Sequence, residues 1–92
     1  MQDEMMPRQE YIPPRPPKSF RIKLEVHMSG FRLDNVLLKS LREQKQNLNL
    51  QNVTRTTYKE LFSTGKILIK GQRARPSSNV CKGITYVDIL GY

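Results

Sequence analysis

The chain has little of what enzymes and secreted proteins are built from. Its 92 residues include one cysteine, one histidine and no tryptophan. A lone Cys81 cannot close an internal disulfide, and with His27 as the single imidazole there is no ligand set for zinc, so neither a metal nor another cofactor is expected. Cys81 sits in Val80-Cys81-Lys82-Gly83 without a histidine or acid spaced to serve as its base, which argues against a nucleophile. His27 falls on the polar phase of its segment and reads as solvated. No paired carboxylates, phosphate-cradling glycine loop or catalytic triad is present, so catalysis is not expected. No apolar run approaches the roughly 20 residues that cross a bilayer. Signal-peptide and lipidation patterns are missing as well, so the expected compartment is the cytoplasm and no membrane partner is expected. Aromatic residues make up only 8% of the chain. Tyr58, Phe62 and Tyr86 all fall where a core needs them, which leaves no platform for stacking single-stranded bases.

Acids are scarce too, with eight Asp/Glu against sixteen Lys/Arg, a net charge of +8 and a pI near 10.0. That imbalance costs a compact fold some self-repulsion and suits an anionic partner. The excess is clustered. Between Thr54 and Lys82 stand Arg55, Lys59, Lys66, Lys70, Arg73, Arg75 and Lys82 against a single acid, Glu60. A surface built only for solubility would mix the signs, whereas ordered cations facing one way displace counterions from a nucleic-acid backbone.

The chain divides near residue 18. Residues 1–18 hold five of the six prolines, including Pro13-Pro14-Arg15-Pro16-Pro17, and are expected to be a proline-rich disordered arm, dispensable for folding. From Ser19 the residues alternate, with Phe20, Ile22, Leu24 and Val26 on one side and Arg21, Lys23, Glu25 and His27 on the other, a half-buried strand. Ser29-Gly30 breaks it and is placed to cap a helix whose Leu33, Val36, Leu37 and Leu41 recur at helical steps. The Gln/Asn-rich stretch 42–52 can extend that helix or form a loop. Thr54 caps a second helix, with Thr57 and Glu60 at capping-box spacing and Tyr58, Leu61 and Phe62 on one face. Gly65 ends it. Lys66 then opens a strand with Ile67 and Ile69 in phase, Lys70-Gly71-Gln72 turns, residues 73–75 return, 76–79 form a loop, and a last strand runs from Ile84 to Leu90. Residues 19–92 thus read as one α+β domain.

In that order Arg32-Leu33-Asp34, Leu37, Leu41, Thr54-Arg55, Leu61, Gly65, Ile67, Ile69, Gly71, Val80, Gly83 and Ile89 resemble the S4 RNA-binding domain, over residues 31–90. The leading strand is most similar to that of the pseudouridine synthases that carry such a domain. The resemblance implies an S4-like (αL motif) fold, two helices packed on a small curved, mostly antiparallel sheet. It implies that the helical pair and the turn after it hold structured RNA, either rRNA or tRNA, with the ribosome as a place of action. Carried over by position, the RNA-facing set is Arg32, Thr54, Arg55, Lys59, Lys66 and Lys70, to which the free amides of the second helix's start add Thr56 and the charge cluster adds Arg73 and Arg75. Asp34 answers the dipole of the first helix or pairs with an arginine. The chain departs from the family in its longer inter-helix segment, in Lys70 where asparagine is usual, and in Ile84 where an acid commonly follows the glycine. The expected function is non-catalytic binding of structured RNA by a monomer. Two alternatives stand beside it: the RNA-targeting domain of a larger modifying enzyme such as a pseudouridine synthase, and a protein-interaction module using the basic face or the proline arm.

Overall fold

The computed structural model describes residues 12–92. They form a small α+β domain with three helices and a mostly antiparallel sheet: β1 (Ser19–Val26), β2 (Phe31–Arg32), α1 (Leu33–Glu43), α2 (Leu48–Gln51), α3 (Arg55–Ser63), β3 (Ile67–Ile69), β4 (Gln72–Arg73), β5 (Asn79–Val80) and β6 (Gly83–Leu90). The main sheet runs β1-β6-β3-β4, and β2 pairs with β5 in a second, two-stranded ribbon. Chain-distant β1 and β6 pair along their whole length, from Ser19 opposite Leu90 to Val26 opposite Gly83.

The alternation in β1 sends Ile22 and Leu24 into the core, where they meet Val87 and Ile89 of β6 and Ile67 of β3. The helices cover that face. Leu33, Leu37 and Leu41 lie four residues apart on one stripe of α1 and are fully buried, and Leu50, Tyr58, Leu61 and Phe62 complete the cluster. Tyr58 and Phe62 meet edge to face, with centroids 5.3 Å apart. Tyr86, also expected in the core, is half-buried on the opposite face of the sheet, with the Arg21 guanidinium 5.3 Å from its ring.

Helix α1 starts differently from the sequence expectation. Ser29-Gly30 does not cap it; the Ser29 hydroxyl instead accepts from the Lys82 amide. The cap position is Arg32, which makes no side-chain capping bond, and the first-turn amides of Leu33 and Asp34 donate to the carbonyls of Ser78 (2.8 Å) and Pro76 (3.0 Å). The segment after β4 thus closes the helix head, and the β2–β5 ribbon holds it there. Pairings of two residues each carry no periodicity, so the sequence could not announce them.

The stretch 42–52 is ordered by its own amides. The Gln44 side chain accepts from the amides of Gln46 and Asn47 and donates to the carbonyls of Leu41 and Asn47, and the Asn47 side chain caps α2 at the Leu50 amide. This turn delivers Leu50 to the core. Helix α3 begins at Thr54, whose Oγ1 accepts from the Thr57 amide (3.1 Å). It ends on a Schellman pair, Lys66 N–H to Leu61 C=O and Gly65 N–H to Phe62 C=O, which needs the left-handed φ of +74° at Gly65. The β3–β4 hairpin turns on Lys70 (φ +54°) and Gly71 (φ +76°), a two-residue turn of the primed type that matches strand twist.

Residues 1–11 of the arm lie outside the described residues. Residues 12–18 do not behave as a free tail: Pro13 is buried, its carbonyl accepts from Arg21 Nη1 (2.6 Å), Pro16 accepts from the Ser19 hydroxyl, and Lys18 accepts from the Gly91 amide (2.7 Å). Packing therefore continues past the boundary expected at residue 18. Deleting residues 1–17 is expected to remove about 1 kcal/mol of stability, equivalent to a fall in Tm of about 4 to 8 °C for a domain of this size. Calorimetry on the truncated chain checks this, and an unchanged Tm would count against a packed arm.

Candidate nucleic-acid interface

Two adjoining depressions flank α3, one against the start of α1 and the other against residues 73–76. One, of about 420 Å3, has Leu38, Tyr58, Phe62 and Pro76 in its floor and Arg32, Arg55 and Lys59 at its rim. The next, of about 590 Å3, shares Lys59, Phe62 and Pro76 and adds Arg73 and Arg75. Five of the nine residues expected to face RNA, spread over 44 positions of sequence, therefore converge on one continuous groove.

Arg55 opens α3, is exposed and makes no ion pair among the described residues. The helix start leaves the Arg55 and Thr56 amides without intrahelical acceptors, so charge and helix dipole point the same way there. Lys59 follows one turn later. Tyr58, on the buried side of the same turn, donates its hydroxyl to the Asp34 carbonyl (2.6 Å) and so fixes α3 against the head of α1. Burial, with the Asp34 carboxylate second, pushes the Tyr58 phenol above its ordinary pKa, so it stays a neutral donor.

Asp34 is the one acid among the described residues that line the groove. Arg32 donates to it from Nε and Nη2, both at 3.1 Å, which holds the Asp34 carboxyl below its ordinary pKa and raises that of Arg32. The sequence leaves open whether Asp34 pairs with an arginine; Arg32 is that partner. Arg55 is thus left without an ion pair among the described residues.

The other expected site residues are placed otherwise. Arg73 lines the groove, but its Nη2 donates to the carbonyls of Ser63 and Phe62 and its side chain lies against Gly65, so it closes the C-terminal end of α3. Thr54 uses its hydroxyl oxygen as the cap of α3. Lys66 is exposed and lines neither depression, and Lys70 stands at the hairpin tip beside a separate gap of about 470 Å3 between the hairpin and residues 78–81. Pro76 and Leu38, which floor the groove, are not legible as site residues, because a proline in a loop and a leucine on a helix carry no signal until tertiary packing brings them together.

Lys70 carries a conformational cost. A left-handed φ is unfavourable for a side chain that cannot hydrogen-bond locally, and asparagine tolerates it better. Lys70→Asn is expected to stabilise the domain by about 1 kcal/mol, read as a higher urea midpoint at unchanged slope. A lower midpoint would mean that the lysine stem contributes packing that outweighs the turn.

Among the described residues no helix is long and apolar enough to cross a membrane, no group of His, Cys, Asp and Glu could hold a metal ion, and Cys81 is an exposed free thiol. Comparison of the chain with protein-family models, with curated proteins and with solved structures returned no match.

Proposed function

We propose that this chain is an S4-type module that binds structured RNA, rRNA or tRNA, without catalysing a reaction on it. The observation that carries the reading is the convergence of Arg32, Arg55, Lys59, Arg73 and Arg75 on one groove in which Asp34, the one acid among the described lining residues, is already paired with Arg32. Such a groove offers phosphates an unopposed positive wall. Aromatic rings in the groove are buried with their edges engaged, which favours recognition of shape and backbone over base stacking. Arg55 and the open amides of the first turn of α3 take one phosphate, and Lys59 and Arg75 extend the contact along the groove. A helical pair fixed by the Tyr58 hydroxyl is pre-organised for that encounter. The order of elements and the Thr54-Arg55 helix start fit the S4 resemblance.

The test is the salt dependence of binding to a folded RNA. With about four to six phosphates neutralised, log affinity should fall against log salt with a slope of roughly −3 to −5. A slope near zero, or equal affinity for an acidic polypeptide of matched charge, would sink the reading.

A further inference from the structure

Strand β1 is an edge of the main sheet along all eight of its residues: β6 pairs with one side of it, and among the described residues nothing pairs with the other. Residues 12–18 do not cover that side: Arg21 leans onto Asp88 of β6 and holds the Pro13 carbonyl from there, and Pro13 shares its gap with Ile84 and Tyr86, so this segment lies over β6. A depression against Glu25 and Val26 is closed by Phe31 and by Val36 and Lys39 of α1, with no residue of β6 in its lining, so it opens on the free side of β1. A long unpaired edge is a template for another strand, and proteins usually blunt it with charge.

Here the charges are arranged so as to admit one partner. Along Ile22-Lys23-Leu24-Glu25-Val26, apolar residues alternate with one cation and one anion, and the pattern inverts in sign about Leu24. Within the chain Lys23 faces Tyr86 and Glu25 faces Ile84 across β6, and neither forms an ion pair among the described residues. We infer that β1 is a self-association surface, on which a second copy of this chain adds its own β1 antiparallel about a two-fold axis through Leu24. In that register Lys23 lies directly opposite the second copy's Glu25 and the reverse, Leu24 lies opposite Leu24, and Ile22 lies opposite Val26, so these central pairs are complementary. The adjacent same-face registers are less favourable: a two-fold at Lys23 sets that lysine against itself and one at Glu25 sets that glutamate against itself, while Arg21 is already engaged by Asp88. The paired edges would join two four-stranded sheets into one of eight strands. This inference is independent of the RNA reading.

Sedimentation equilibrium of the full chain tests it over a range of concentrations. The wild type should reach twice the monomer mass with rising concentration. Glu25→Lys alone and Lys23→Glu alone each convert two attractive cross-strand pairs into two repulsive ones, and each should weaken self-association by at least about tenfold. Both substitutions are at exposed positions, so circular dichroism should be unchanged. Mixing the two variants should restore a 1:1 dimer, because each lysine of one chain then meets a glutamate of the other. A wild type that stays monomeric at every concentration overturns the inference. So does a dimer that survives both single substitutions, or a mixture that fails to associate.

Discussion

Arg21→Met is expected to destabilise the domain by about 3 kcal/mol, because it leaves a carboxylate buried without its counter-charge. Asp88 lies on β6 with 1% of its side chain exposed, between Leu68 of β3 and Arg21 of β1 in the sheet register. Arg21 answers it with two bonds, Nε to Oδ1 at 2.7 Å and Nη2 to Oδ2 at 2.9 Å, and its third nitrogen holds the Pro13 carbonyl. The hydrogen bonds to Asp88 raise the guanidinium above its ordinary pKa, so Arg21 keeps its positive charge. Arg21 keeps 15% of its side chain exposed, which admits some water and places the cost at the low end of the range for broken buried pairs. Arg21→Met combined with Asp88→Leu removes both charges and should recover most of the loss. Urea unfolding of the single and double variants measures both. A single variant within about 0.5 kcal/mol of wild type would show that Asp88 is solvated.

Leu61→Ala and Arg55→Ala, six positions apart on α3, should separate stability from binding. Leu61 is 4% exposed inside the core cluster, and its truncation should cost about 2 to 5 kcal/mol, enough to unfold much of a domain this small. Arg55 is exposed, without an ion pair among the described residues and outside the capping bonds of its helix, so Arg55→Ala should stay within about 0.5 kcal/mol of wild type. In the folded Arg55→Ala variant, RNA affinity should fall and the salt slope should become shallower by about 0.7 to 0.9, the share of one phosphate. Unchanged affinity and slope would remove Arg55 from the interface.

Elements with internal periodicity are legible in the amino-acid sequence itself. The alternation of β1 and the stripe Leu33, Leu37, Leu41 identify their own buried faces, and Thr54 and Gly65 mark both ends of α3 because caps are local chemistry. What escapes is decided at a distance. Ser29-Gly30 resembles a helix cap, yet the head of α1 is closed by carbonyls more than 40 residues away, a contact no local rule can foresee. The proline arm has no periodic face, and the attachment of residues 12–18 depends on one buried proline and on carbonyls reached by Arg21, Ser19 and Gly91. At the site, charge clustering points to Arg55, Lys59, Arg73 and Arg75 together. It cannot distinguish the lysines of the hairpin from the residues that share the groove, nor show that Arg73 is engaged by the end of α3.

The closure of α1 by the Pro76 and Ser78 carbonyls also gives the groove a direction. Two helix heads converge there, but one already has its amides filled from within the molecule, and only that of α3 remains open. An anionic chain laid along the groove would meet a single strong pole at one end and lysine and arginine side chains farther on, so its grip would be tightest beside the head of α3 and weaken along the groove.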